Sequence, residues 1–390
     1  MSENCELCRR PALEPVYEVE GSARGLKVHL CRHCGLLQSL PRIDRAPRRD
    51  AAPSGGADWG NVRYGKSFRT RAALSALRRH IDLSANLALL DVGSNRGSFV
   101  RAFAGEAPNA HIVAIEPDER VAESCRGLER TELIAARIED VPLETGRFDI
   151  IHSCHTIEHL AGPARALADH WRVLKPGGLL VLDAPSTALL DADDIVEEWF
   201  IDKHLYHFSA RTLMRMVTAA GFDIVEPPDP ADRENLLIVA CRADRAAHVL
   251  SSDPREVTEA ERLIAAYGAA RARNLVALTA MAAELKSLAP RRVAMWGAGR
   301  LFDSLVVHGG FMPDMLAGLI DAHLKAHVPV RHGCQLKAPE ALSEIDPGVV
   351  VVMSRGFAGE ITAHARKLAP DAEIITYSDL LTRARHRRAA

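Results

Sequence analysis

No stretch of this 390-residue chain reaches the roughly 18 consecutive apolar residues that a membrane-spanning helix needs. The opening Met1-Ser2-Glu3-Asn4-Cys5 lacks the basic start and apolar run of a secretory signal, so the expected location is the cytoplasm, with no membrane partner. Charge of one sign is missing too. Lys and Arg number 49 against 51 Asp and Glu, so no global field steers the chain toward nucleic acid. The basic run Arg383 to Arg388 is local and reads as a solvated tail. No short-period repeat points to a solenoid. Nor do eight cysteines in a chain of this length read as a disulfide framework. Four of them cluster near the N-terminus. Cys125, Cys154, Cys241 and Cys334 are scattered and read as small buried apolar residues.

The length fits two or three domains. Residues 1–42 hold the paired cysteines, and residues 43–60, with Pro47, Pro53, Ser54, Gly55 and Gly56, read as a linker. Residues 61–245 alternate strand-like and helix-like runs, the pattern of a doubly wound α/β domain. Its Val-, Ile- and Leu-rich runs fit buried parallel strands at 88–92, 112–115, 148–151, 179–182 and 236–240. Residues 246–289 form a connector whose stretch 254–288 is rich in helix formers. The α/β pattern restarts in 290–390, with strands expected at 292–296, 316–321, 349–353 and 373–377.

Cys5-x2-Cys8 and Cys31-x2-Cys34 present two thiolates each to one point, which suits tetrahedral Zn2+. Val16 to Val19 and Lys27 to Leu30 can pair between them as short strands, as in a zinc ribbon. A redox CxxC usually opens a helix in a βαβ unit, and neither pair does. A closed four-thiolate site has no open position, so its expected role is structural, and His33 is not needed as a ligand.

Leu89-Leu90-Asp91-Val92-Gly93-Ser94-Asn95-Arg96-Gly97 reads as strand, acid, glycine turn and helix start. A dinucleotide fingerprint would be GxGxxG; the spacing here is GxxxG, and Arg96 would crowd a pyrophosphate. S-adenosylmethionine (SAM) has no phosphate. Glu116, followed by Pro117, stands at the tip of the second strand, where a carboxylate suits two ribose hydroxyls. The loop Ile138-Glu139-Asp140 should edge the adenine. Cofactor contacts are thus expected from Asp91, Gly93, Ser94, Asn95, Gly97, Glu116, Pro117, Ile138, Glu139, Asp140 and His155.

His155-Thr156-Ile157-Glu158-His159 also satisfies H-x-x-E-H, an inverted zinc-protease signature. That reading needs a helix and a third ligand. Here the motif follows a strand, so the expectation is a pocket floor rather than a catalytic metal. Methyl transfer to a neutral acceptor requires removal of a proton. The stretch Trp199 to Ser209 follows the strand expected at 179–182 and offers His204 as general base, with His207 and Tyr206 as further candidates and Ser209 as a helix cap.

The run from Asp91 to Gly178 resembles the class I SAM-dependent methyltransferase family. The resemblance rests on D-x-G-x-x-x-G, the acid after strand two, E-D-x-P, F-D-x-x, the E-H pair and L-K-P-G-G. The full layout resembles the nucleotide-sugar C-methyltransferases. Further matches are Gly297-Ala298-Gly299, Ile320-Asp321, Ala338-Pro339-Glu340 and Ser354 to Ile361. That resemblance implies a Rossmann-like SAM domain between an N-terminal zinc domain and a smaller C-terminal Rossmann-like α/β domain. It also implies a small-molecule acceptor, a nucleotide-linked keto-deoxysugar, held between domains. The family's Tyr and Glu before its active-site His are Ile201 and Lys203 here, and its aromatic-Asn before Phe is Arg355-Gly356. Two other readings stand beside this one: methylation of another small metabolite, and a scaffold that binds SAM without catalysis.

Overall fold

The computed structural model describes residues 4–23, 25–41, 66–119, 126–201, 203–243, 250–326 and 328–389. The expected linker and Cys125 lie outside them. The described chain divides into two compact units. The first takes the residues up to 41, those from 66 to Leu190, and Glu198–Ile264; the second takes Asp191–Glu197 and Ala265 onward.

In the first unit β1 (Leu13–Glu18), β2 (Lys27–Cys31) and β3 (Leu37–Leu40) form a small antiparallel sheet that carries the cysteines. The main sheet contains β4 (Ala88–Val92), β5 (His111–Ile115), β6 (Thr131–Ile134), β7 (Phe148–Cys154) and β8 (Leu174–Asp183). A two-residue strand, β9 (Tyr206–His207), leaves this run and pairs with β3 in the small sheet. The main sheet is completed by β10 (Phe222–Glu226) and β11 (Ile238–Arg242).

The main order is β6-β5-β4-β7-β8-β11-β10, with β11 antiparallel to both neighbours and the other pairs parallel. The chain builds outward from β4 first to one side, then to the other. The order therefore reverses beside β4, and a crevice opens there at the carboxyl ends of the strands.

Side chains alternate across the strands. Leu89, Ile112, Ile150 and Val181 pack with Leu74 and Leu77 of α1 (Lys66–His80) and Phe99 and Phe103 of α2 (Ser98–Glu106). Leu90, Val113, Ile151 and Leu180 face the other way, onto Leu167 of α3 (Pro163–Val173) and Leu213 and Met216 of α4 (Ala210–Ala219). Cys5, Cys31, Cys34, Leu36, Tyr206 and Phe208 belong to that second core. The cysteine segment thus shares a core with the main sheet. Ser209 caps α4, with its side chain accepting from Thr212 N, as the sequence predicts. Helix α5 (Pro254–Ser287) matches the expected helix at 254–288; it begins in the first unit and continues in the second.

The second unit is a six-stranded sheet. Its strands are β12 (Val293–Trp296), β13 (Gly318–Ile320), β14 (Val330–Arg331), β15 (Cys334–Lys337), β16 (Val349–Val352) and β17 (Glu373–Thr376). They lie in the order β14-β15-β13-β12-β16-β17, parallel except for the β14/β15 hairpin. Its helices are α6 (Arg300–Val307), α7 (Ala341–Ile345), α8 (Ala358–Leu368) and α9 (Tyr377–Ala389). Asp191–Glu197, expected within the central domain, belongs here. Asn274 Nδ2 donates to the carbonyls of Asp193 and Ile195, each at 2.8 Å, and Tyr377 Oη donates to Asp194 O at 2.7 Å. Among the described residues no helix is long and apolar enough to cross a membrane. Cys154, Cys241 and Cys334 are half-buried rather than buried.

His170 on α3 is buried, and burial pulls its imidazole down to about 4. The unfolded chain protonates first, near the ordinary value of about 6.5. Stability is therefore lost as pH falls from about 6.5 toward about 4. Replacing His170 with Leu should flatten the melting temperature across that window, as followed by circular dichroism; a slope equal to wild type would refute the assignment.

Candidate functional site

The strand β4 delivers Asp91 and the glycine turn to the crevice. Asp91 is buried and accepts a 2.6 Å hydrogen bond from Nδ1 of His152, its neighbour on β7. That ring stacks on Phe99 with centroids 3.5 Å apart. Asp91 Oδ2 and the Ser94 hydroxyl are buried with no hydrogen-bond partner among the described residues. Gly93 has φ 75°, and a Cβ there would come within 2.2 Å of Thr156 Oγ1, so the turn requires glycine. Asn95 (φ 49°) and Gly97 (φ 69°) complete the left-handed bends that lead into α2.

Gly93 N and Ser94 N both donate to Ile115 O, at 2.9 and 3.0 Å, which ties the turn to the tip of β5. Glu116 follows there. Its Oε2 accepts from Asn95 N at 2.9 Å and its Oε1 from Asp118 N at 3.0 Å. An ionised carboxylate offers about four acceptor positions, which suits a contact to vicinal hydroxyls. Pro117 beside it is exposed. Ile138, Glu139 and Asp140 form a single 3-10 turn with Ile138 half-buried and both acids exposed. A cavity of about 460 Å3 adjoins that turn, walled on the far side by Arg165, Asp169 and His170 of α3; the glycine turn takes no part in it. A glycine cradle, a buried hydroxyl unpartnered among the described residues and a carboxylate held by two backbone amides fit the amino acid and ribose ends of SAM.

A second constellation lies just beyond β7. His155 sits in the left-handed region, φ 49°, uncommon for a non-glycine residue. Its Nε2 donates to Asn235 Oδ1 at 3.2 Å, and Arg69 Nε donates to the same oxygen at 2.9 Å. Asp183, at the end of β8, lies 3.8 Å from His155 Nε2 and 3.9 Å from Arg69 Nε, and burial pushes its carboxyl up to about 6. Sequence reasoning missed Arg69, His152, Asp183 and Asn235, which come from a helix, two strands and a loop and carry no local motif.

The H-x-x-E-H stretch is a 3-10 turn, Ile157–His159, not an α-helix. Glu158 is 1% exposed, and burial pushes its carboxyl up to about 8. Neither of its oxygens has a hydrogen-bond partner among the described residues. The ring of His204 lies 4.8 Å from that of His159, and burial, then the charge of His159, holds His204 well below the ordinary imidazole value. His207 has a different setting. It pairs with Leu37 in the small sheet, its Nε2 is 2.9 Å from Ser39 Oγ, and its ring meets the edge of Phe200. Burial pulls it down to about 3. Tyr206 is committed as well, donating to Ala161 O at 2.9 Å.

The four N-terminal cysteines converge. Cys5 Sγ is 3.5 Å from Cys34 Sγ, Cys8 Sγ is 3.5 Å from Cys31 Sγ, and all four sulfurs lie within 4.8 Å of one another. Four thiolates on one tetrahedral Zn2+ with bonds of about 2.3 Å would stand about 3.8 Å apart. The spacing fits such an ion, and no disulfide links these residues. His33 is not part of the cluster.

Residues 90–182, which span the glycine turn, Glu116 and the E-H pair, match the family described as a methyltransferase domain. By that match this stretch of the chain is similar to methyltransferase domains. Curated relatives cover parts of it. An uncharacterized 37.1 kDa protein in transposon TN4556 of Streptomyces fradiae is 27% identical over 40% of this chain and 48% of its own length. The tRNA U34 carboxymethyltransferase of Desulfotalea psychrophila is 28% identical over 30% of this chain and 38% of its own. An uncharacterized methyltransferase of Mycolicibacterium gilvum is 38% identical over 25% of this chain and 38% of its own. The chain thus spans less than half the length of these relatives. Among solved structures, an S-adenosylmethionine dependent methyltransferase from Mesorhizobium loti is 18% identical, with TM-score 0.37, over 44% of this chain and 98% of its own.

Proposed function

We propose that the protein transfers a methyl group from SAM to a small-molecule acceptor, a nucleotide-linked keto-deoxysugar, and that Zn2+ bound by Cys5, Cys8, Cys31 and Cys34 is structural. One observation carries the donor assignment: Glu116 is held at the tip of β5 by two backbone amides, beside a turn that only glycine can make. Glu116 holds the ribose hydroxyls, the Ile138–Asp140 turn edges the adenine, and the amino acid end lies along Gly93 to Gly97. SAM supplies an electrophilic methyl on a good leaving group. The chain's own task is to place an acceptor in line with it and to take a proton from a neutral acceptor. His204 has that role in preference to His207, whose ring is occupied in the small sheet. The acceptor class rests on the resemblance in layout, including the second α/β unit. There Gly297 and Ala298 follow β12, and Ala298 N donates to Asp321 Oδ2 at 3.1 Å. Arg355, one of the departures from the family pattern, is ion-paired to Glu197 within that unit.

Titration calorimetry tests the donor site. Glu116→Ala should weaken SAM binding by about 1.5–3 kcal/mol, the range for hydrogen bonds to a charged group, or roughly 10- to 150-fold. Unchanged affinity would reject the ribose assignment. Mass spectrometry of incubations with labelled SAM and a panel of nucleotide sugars tests the acceptor. Transfer to none of them, with SAM bound normally, would favour another small metabolite.

A further inference from the structure

The turn Ile157–His159 and the segment around His204 are tied together by three hydrogen bonds. Leu205 N donates to Glu158 O at 2.8 Å, His159 Nδ1 donates to Lys203 O at 2.8 Å, and Tyr206 Oη donates to Ala161 O at 2.9 Å. This pinning brings one donor atom each from Glu158, His159 and His204 within 4.8 Å of one another. Methyl transfer as described needs only His204 of the three.

Glu158 is the odd member. A carboxylate removed from water costs several kcal/mol unless it is paired, coordinated or protonated, and a bound cation would favour its ionised form. Here it is 1% exposed, and no hydrogen bond reaches either oxygen from the described residues. His159 Nε2 stands 3.6 Å from its Oε1, beyond a hydrogen bond. That gap is close to the separation of two ligands on one cation: bonds of about 2.0–2.1 Å place neighbouring ligand atoms roughly 3.0–3.4 Å apart.

The imidazoles are set up correspondingly. The carbonyl of Lys203 can only accept, so His159 carries a hydrogen on Nδ1, and in the uncharged ring the lone pair is on Nε2, toward Glu158. A backbone carbonyl that fixes the tautomer in this way is the usual support behind a metal-bound histidine. His155 Nδ1 also lies 3.7 Å from Glu158 Oε1, but His155 is not part of the cluster with His204, and its Nε2 is engaged with Asn235. His159 and His204 are both partly exposed, which leaves room for further ligands from solvent or substrate.

We propose that Glu158, His159 and His204 bind one first-row divalent cation at the carboxyl end of β7, with coordination positions left open. Two imidazoles and one carboxylate without thiolate suit Mn2+, Fe2+ or Zn2+. With open positions, such a cation polarises an acceptor's hydroxyl or carbonyl oxygen and eases its deprotonation. That use of the ion rests on the methyl-transfer reading; the presence of the ion does not.

Metal content decides it. Full-length protein grown with excess Mn2+ and then desalted should hold one equivalent of divalent metal beyond that of the cysteine cluster. Glu158→Gln and His159→Ala should each lose that equivalent and keep the other. Wild type without the extra equivalent, or both variants retaining it, overturns the site. Pulsed EPR of the Mn2+-loaded wild type needs no variant: nitrogen couplings from imidazole are expected, and their absence overturns the proposal as well. SAM affinity measured on the same samples separates the two readings. Normal SAM binding without the metal removes only the cation, whereas a lack of SAM binding removes the methyl-transfer reading.

Discussion

A protein with Cys5 and Cys8 both replaced by serine should purify with less than half an equivalent of zinc at the cysteine cluster, and its first unit should lose cooperative melting. Cys5, Cys31, Cys34 and Leu36 lie in one buried core with Leu182, Tyr206 and Phe208, so the cluster supports more than its own segment. Structural Zn2+ binding is worth about 10–16 kcal/mol in small zinc peptides, and a whole domain has a net stability of only about 5–15 kcal/mol. Losing even part of that contribution is expected to unfold the small sheet and release β9, which pairs with β3. Zinc analysis and differential scanning calorimetry check this together. A variant that keeps wild-type melting while lacking zinc would show that the four thiols pack without a metal. A wild type with free thiols and no zinc would remove the ion altogether.

Local signals in the sequence were strong where one stretch of chain does one job. Strand β4 falls on the expected residues 88–92, the glycine turn follows it, and Glu116 stands at the tip of β5, because strand, turn and helix start are encoded within a dozen neighbouring positions. Paired cysteines were legible for the same reason, since each CxxC is its own short turn. Long-range pairing was not. Nothing in Tyr206-His207 alone announces a strand, and only its pairing with Leu37 and Gln38 takes His207 into the small sheet. Asp91 shows the same limit. Its position after Leu90 suggested a cofactor contact, but its 2.6 Å bond to His152, from a strand 61 positions later in the chain, has no local signal. The buried carboxylate of Glu158 is a further case. The motif H-x-x-E-H, following a strand, read as a pocket floor. The 3-10 turn instead leaves Glu158 and His159 to meet His204, which arrives after β8.

The His204→Ala protein should bind SAM with wild-type affinity and turn over its acceptor about 10^2- to 10^4-fold more slowly, the usual worth of a positioned base. His204 makes no contact with the glycine turn or Glu116 among the hydrogen bonds that build the donor site, so the loss should fall on kcat and not on the SAM constant. The size of the loss does not separate a base from a metal ligand, since either change leaves the acceptor's proton in place. Metal content of the same variant does. If His204 acts alone as the base, His204→Ala keeps whatever divalent metal the wild type holds. If His204 is a ligand, the extra equivalent and the turnover disappear together, and excess Mn2+ should restore part of the rate by populating the weakened site. Near-normal turnover by His204→Ala with a nucleotide sugar that the wild type methylates would remove both roles. The proton would then have to leave through another group at the carboxyl ends of β7 and β8, where Asp183 and His155 already stand 3.8 Å apart.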